Sequence, residues 1–380
     1  MSLVRVPILR HGLTKWDKAL LPQSDVDHRL AQVRDAMRAA GLDALLVYGD
    51  MAHSGGLAYL TNFHPFDARM PGFALVTPTK LEAVLKVSSR DLGFIAPFIW
   101  APAQPSDFLA NDLAGQVRDI IVREGLETKR VGLAGAALMP PALQPAITEI
   151  FPAGVIDADG LIDTLRRKKS AAERGILRLT ATKAEAIVDA VAEHAAAGMT
   201  ETELAAFADY AARKAGAQDV EFLMHSQHDR MPAAGANESF PFRPPAERAL
   251  EAHEQLGVFL ALQYHGYWAE LSQSIFIGGP RPEQKEAYEF CVAAFDELRG
   301  RIGRTAKLEG GVTSFWTHGI GLDREEEPSS TDRSAAANDG EMVVAHVAVQ
   351  RNEARAFFGR TIVSAPAGGT ILAAPITKSA

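Results

Sequence analysis

Residues 317–328 read THGIGLDREEEP. A histidine heads a glycine-rich turn, and an arginine and three carboxylates follow it. His318 offers a ring nitrogen to a metal ion or a proton. Gly319 and Gly321 carry no Cβ, so backbone and substrate can come close. Arg324, Glu325, Glu326 and Glu327 place opposite charges within a few residues, and such clusters shift pKa values when partly buried. Two readings stand for this stretch. One is a site that holds a metal or moves a proton; the other is a surface loop with a solvated charge run.

Outward from this turn, the chain has 380 residues, which suggests two domains rather than one core. Hydrophobic residues at 47% and charged residues at 23% are ordinary for a globular protein. A formal charge of −8 and the lack of a basic stripe argue against a nucleic-acid partner. Cys291 is the single cysteine, so no internal disulfide and no thiolate zinc site is expected. The N-terminus has no signal-peptide pattern, and no apolar run is long enough to span a bilayer. A cytoplasmic enzyme without a membrane partner is the expectation.

Residues 1–25 are irregular and read as an arm. Leu30, Val33, Met37 and Leu42 then recur at helical spacing, and Gly41 stops the helix. DALLVYG, FALVTP, EAVLKV and RVGLAG read as strands, and residues 110–124 as an amphipathic helix. Alternation of this kind predicts an α/β domain to about residue 160. Asp163 to Glu193 reads as two helical segments, and Thr200 with Glu203 as a capping box. VEFLMHS, GVFLALQYHGYWAELSQSIFIG and GEMVVAHVAVQ then read as strands of an α+β domain.

THGIGL resembles the histidine turn of the pita-bread family, which includes methionine aminopeptidase, prolidase, aminopeptidase P and creatinase. RLAQVRDAMRAAGLDALLVYG and GLAYLTNF are similar to the N-terminal domain of its prolidase and creatinase branch. TLRRKKSAAERGILRLTATKAEAIVDAV and MTETELAAFADYAARKAGA resemble the opening helices of the catalytic domain. The resemblance implies an α/β N-terminal domain of the creatinase/prolidase type over 1–160, contributing to a dimer and the partner's site. It implies an α+β pita-bread catalytic domain over 161–380.

Metallopeptidases of this family hold two metal ions with two Asp, one His and two Glu. The resemblance places Phe259 in the first Asp slot, Glu270 in the second and His318 in the histidine slot. It places Val347 in the first Glu slot, with His346 beside it, and Gly359 in the last, with Arg360 next. One His and one Glu cannot hold two ions, so no metal and no cofactor are expected. A single ion that recruits His346 or His265 stays open. The family's further imidazole slot falls on Phe242; His225 and His228 lie earlier and are candidates for the same cavity.

Creatinase keeps this fold without a metal, and its site is shared across a dimer. The expected function is therefore metal-independent, creatinase-like hydrolysis of a C–N bond in a small polar molecule by a homodimer. His318 is the expected acid or base, and Glu270 orients it or binds a cation. Phe63, Phe66 and Arg69 in TNFHPFDARMPGF are candidates to reach a partner's site. Tyr264, Tyr267 and Trp268 are candidates to stack on a flat or cationic group. Arg324 and Arg360 are candidates to clamp a carboxylate, or form structural ion pairs with Glu325 or Glu326. The alternatives are a lyase on a small charged substrate, a non-catalytic binding protein, and a metal-dependent Xaa-Pro peptidase.

Overall fold

The computed structural model describes residues 12–13, 15–106, 112–229, 240–299, 311–328, 337–365 and 369–372. Residues 1–11 and 14 of the expected N-terminal arm lie outside the described residues. The chain divides into two compact units, Met1–Arg166 and Arg167–Ala380.

In the first unit, α1 (Gln23–Ala39) buries Val26, Val33 and Met37 and ends where Gly41 takes a φ of +66°. Among the described residues a six-stranded sheet follows. Its strands are β1 (Ala44–Gly49), β2 (Gly72–Val76), β3 (Leu81–Leu85), β4 (Ala103–Pro105), β5 (Val131–Ala134) and β6 (Ile156–Asp157), in the order β4-β3-β2-β1-β5-β6. The pairs β1–β2 and β2–β3 are antiparallel, and β1–β5, β5–β6 and β3–β4 are parallel. Helices α2 (Gly55–Thr61), α3 (Ser89–Ile95), α4 (Leu113–Arg123) and α5 (Leu143–Thr148) connect them. Leu46, Phe73, Val84, Val117, Ile121 and Leu133 form the core between sheet and helices. The expected boundary at residue 160 falls inside α6 (Asp159–Arg167).

The second unit opens with α7 (Ala171–His194) and α8 (Glu201–Lys214). Each starts in a capping box, Ser170 with Glu173 and Thr200 with Glu203, in which side chain and backbone satisfy each other's free groups. The described sheet is built from β7 (Asp219–His225), β8 (Gln255–Tyr264), β9 (Tyr267–Phe276), β10 (Val312–Gly319), β11 (Met342–Arg351) and β12 (Ala354–Val363). Their order is β10-β11-β12-β9-β8-β7, and β13 (Thr370–Ile371) pairs with β12. Helix α9 (Pro282–Leu298) joins β9 to β10.

Side chains alternate across a strand, so each strand has two faces. On one face Leu256, Val258, Leu260, Leu262, Leu271 and Ile275 pack under α7 and α8. On the same side Val343, Ala345, Val347, Val349, Ala356 and Ile362 pack with Cys291 and Phe295 of α9. The opposite face carries Phe259, Glu270, Ser272, Gly359, His346, Trp316 and His318. That face contains buried acid and imidazole groups that packing alone does not require.

Candidate metal centre

Strand register assembles the centre as two rows. The first runs Leu223, Phe259, Ser272, Gly359, His346, Trp316 across six strands. The second runs Glu221, Ala261, Glu270 on one side, and Val344, His318 on the other. Thr361 bridges its halves: its Oγ1 accepts from the Glu270 backbone N–H at 2.9 Å and donates to the Glu270 carbonyl at 3.0 Å.

Glu270 lies at the middle, buried. Its Oε2 is 3.3 Å from His318 Nε2 and 3.6 Å from His346 Nε2. The three donor atoms all lie within 4.8 Å of one another. The other ring nitrogens are anchored. His318 Nδ1 donates to the Gly319 carbonyl at 2.9 Å, and His346 Nδ1 pairs with Ser272 Oγ at 2.8 Å. Such second partners fix ring orientation and leave Nε2 facing inward, the arrangement found behind metal-binding histidines. His346 Nε2 has no hydrogen-bond partner among the described residues, although its ring is fully buried. Trp316 stacks on that ring at 4.7 Å, with planes 10° apart.

Space for His346 comes from Gly359. A Cβ at 359 would overlap the His346 ring and Ser272 Oγ. The slot that resemblance assigned to a carboxylate is thus filled by an imidazole from the neighbouring strand. The expectation for β11 is corrected by one residue. Val347 points under α9, and His346 takes the inward position.

The electrostatics follow from burial against pairing. Burial opposes the His318 imidazolium, but Glu270 beside it pushes this group up to about 9. Burial pulls His346 down to about 4, because Glu270 is farther away and His318 is already positive. Burial also opposes ionisation of Glu270, yet His318 and His346 hold its carboxyl below the usual range. Pairing thus favours a charged Glu270–His318 pair, whereas burial favours a neutral His346.

The donor set fits one divalent ion. A tetrahedral ion with N and O ligands at about 2.0–2.2 Å holds its donors about 3.3–3.6 Å apart. The two separations from Glu270 Oε2 match that spacing, and two His with one Glu is a catalytic zinc set. Phe259 and Gly359 bring no donor to the positions beside it, which leaves Glu270 Oε1 and Glu221 as the nearby carboxylates for a second ion, both held by Arg324.

The charge run 324–327 is only partly solvated: Arg324 and Glu326 turn inward, while Glu325 and Glu327 are exposed. Arg324 turns back over Phe259, its guanidinium carbon 5.4 Å from the ring centre. It donates from Nε to Glu270 Oε1 at 2.8 Å and from Nη1 to Glu221. Glu326 is buried against Lys169 Nζ at 2.5 Å and accepts from the Asp323 N–H at 3.2 Å. Glu325 is exposed, and its charge acts on His318.

Other expected site residues lie elsewhere. His225 is buried behind Phe357, its Nδ1 3.0 Å from the Pro241 carbonyl. His228 is exposed and pairs with Glu251. Neither joins Glu270. Arg360 projects to the helix face, 2.5 Å from Glu185. Tyr264 packs with His265 and Lys183 at the β8–β9 turn, so neither Tyr264 nor His265 reaches the cluster. Tyr267 donates to Glu173, and Trp268 is buried with its backbone N–H on the Gly321 carbonyl. In the first unit Phe63 is buried and Arg69 is ion-paired with Asp67 at 2.6 Å.

Sequence reasoning passed over Glu221, Ser272, Trp316 and Phe240. Glu221, Leu223 and His225 alternate along β7 with the period of Phe259 and Ala261. Period-two counting therefore carried the signal for Glu221. Phe240, 39% exposed, stacks edge-on to Phe259 and Trp316.

Comparison with known proteins agrees with this geometry. The model for metallopeptidase family M24 matches residues 175–363, and that for the creatinase/prolidase N-terminal domain matches residues 29–168. An Xaa-Pro dipeptidase of Pyrococcus horikoshii is 26% identical over 186 residues, 45% of this chain. That match spans about half of the dipeptidase, 51% of its length. An uncharacterised peptidase of Bacillus subtilis is 22% identical over 337 residues, 83% of this chain and 88% of its own. The Xaa-Pro dipeptidase from Bacillus anthracis superposes with a TM-score of 0.71 at 20% identity, covering 93% of this chain and 98% of that one. The X-Pro aminopeptidase from Thermotoga maritima gives 0.72 at 18% identity, covering 91% and 97%.

These relatives are hydrolases of peptide C–N bonds. The expectation of a metal-independent, creatinase-like enzyme is corrected on two findings: the metallopeptidase relatives, and His346 completing a three-donor group with Glu270 and His318. No helix among the described residues is long and apolar enough to cross a membrane. With the two domain models matched in order and the fold shared over 93% of the chain, the chain belongs to the pita-bread family and is creatinase/prolidase-like.

Proposed function

We propose that this protein is a metal-dependent hydrolase of peptide C–N bonds in small substrates, with Xaa-Pro dipeptides as the first candidates. The observation that carries the reading is the convergence of His318 Nε2 and His346 Nε2 on Glu270 Oε2, at 3.3 and 3.6 Å. These three residues would hold one divalent first-row ion. When bound, such an ion polarises a scissile carbonyl and lowers the pKa of water.

The surrounding residues have parts to play in this reading. Arg324 fixes Glu270 by its Oε1, so that Oε2 keeps its aim. The Arg324 side chain is 40% exposed, which leaves donors for a substrate carboxylate. Phe259, Trp316 and the exposed edge of Phe240 offer apolar surface for a proline ring. Glu325, exposed and acting electrostatically on His318, is our candidate to take a proton from water. The homodimer implied by the resemblance of residues 61–73 belongs to the same reading, and light scattering tests it.

The test is release of proline from a panel of Xaa-Pro dipeptides. The protein is stripped with a chelator and reloaded with zinc, cobalt or manganese. Activity should vanish on stripping and return on loading. A metal-loaded protein that cleaves no dipeptide, or a protein that takes up no ion, would overturn the reading.

A further inference from the structure

We infer that the centre is built for one divalent ion, because the Arg324 guanidinium stands in place of a second. The inference rests on the metallohydrolase reading above. The two oxygens of Glu270 have different neighbours. Oε2 faces the two imidazoles, whereas Oε1 accepts from Arg324 Nε at 2.8 Å. Glu221 lies in the same cross-sheet row, separated from Glu270 by Ala261. The small Ala261 side chain leaves room between the two carboxylates, and Arg324 spans them, donating from Nη1 to Glu221.

One cation thus occupies both carboxylate groups that a second ion would need. A second divalent ion on Oε1 would have to displace that hydrogen bond and stand beside a like charge. The flanking positions offer no compensation. Phe259 presents an aromatic face to the guanidinium, and Gly359 presents no side chain. Among the described residues, Glu270, His318 and His346 are the group of three able to hold an ion.

The experiment reads metal count directly. Chelator-stripped protein is titrated with Mn²⁺ by calorimetry, and the product is examined by electron paramagnetic resonance. Wild type should bind one ion per chain and give an uncoupled spectrum. Arg324→Met removes the charge and keeps an apolar stem; it should accept a second ion and show exchange coupling. Arg324→Lys keeps the charge and should stay at one.

Two coupled ions on the wild type would overturn the inference and leave the metallohydrolase reading standing. No ion on the wild type would overturn that reading, and the inference with it. A folded Arg324→Met protein that still holds one ion would overturn the part given to the guanidinium. Should Arg324→Met not fold, the wild-type count and spectrum still decide between one ion and two.

Discussion

Two buried charge clusters of the second unit look alike by composition and differ in how completely they are paired. Around Glu201, Arg243 and Arg248 supply donors at 2.7 to 3.1 Å, and the Ala246 N–H adds another at 2.9 Å. Glu254 is held by Arg248 at 2.6 and 3.0 Å and by the Glu251 N–H at 2.9 Å, and Asp229 is held by Arg243 at 2.9 Å. Each of these carboxylates meets dedicated donors, so the cluster is closed. Around Glu270 the arrangement is open. Two imidazoles converge on one oxygen, and His346 Nε2 is left without a hydrogen bond. A buried polar atom without a partner costs stability and calls for an explanation. The closed cluster fastens the end of β7 and the segment after Phe242 to the start of α8, whereas the open one keeps two imidazoles turned toward one carboxylate oxygen.

The sharpest way to break this contrast is His346→Ala. It removes one of three donors and should leave the fold in place. If the cluster holds an ion worth several kcal/mol at the transition state, hydrolysis should fall by about 10³-fold or more. Elemental analysis should show the ion lost in parallel. Retained metal with retained turnover would place the centre elsewhere.

Glu201→Gln probes the closed cluster. Removing the buried carboxylate leaves two half-buried guanidinium groups short of charge, and the expected loss of stability is about 1–3 kcal/mol by denaturant titration. The pH sign follows from the pairing. Burial opposes ionisation of Glu201, but Arg243, the Ala246 N–H and Arg248 outweigh it and hold its carboxyl below the usual range. A depressed folded-state pKa stabilises the protein above the unfolded value and loses that stability as pH falls through the folded value. The wild type should therefore destabilise on the acid side, and Glu201→Gln should flatten that slope. Equal slopes in the two proteins would remove Glu201 from the account.

Ser272→Ala should have the smallest effect. It deletes the hydrogen bond to His346 Nδ1 and leaves all three donors in place. Loss of such a second partner lowers metal affinity by about 10–100-fold. Competition with a chromogenic chelator measures it. An unchanged affinity would mean that Trp316 stacking alone orients the ring.

The sequence carried the fold through local signals. Helical spacing before Gly41, the Thr200–Glu203 capping box and the strand runs are short-range patterns, and each became the element it predicted. His318 and Glu270 were also legible, because a glycine turn and the AELSQS segment resemble family motifs. The metal centre was not legible as a whole. A linear match assigned Val347 and Gly359 to ligand slots and counted both as losses. Which of His346 and Val347 points inward depends on the phase of β11 against α9, and phase is set by which face the helices cover. The room for His346 depends on Gly359 in the neighbouring strand, 13 residues later in the chain and directly opposite in register.

Arg324 makes the same point. By sequence it belonged to a run of charges with Glu325 and Glu326 as its nearest partners. In the fold it crosses to Glu270 and Glu221, 54 and 103 residues away in the chain. The sequence by itself determined most of the elements, their order and the family, because hydrophobic periodicity and capping act over a few residues, but it did not show that His318 and Gly359 lie in strands. Only the tertiary structure decided which donors share an ion, because strand register brings distant side chains within bonding distance and no local pattern encodes it.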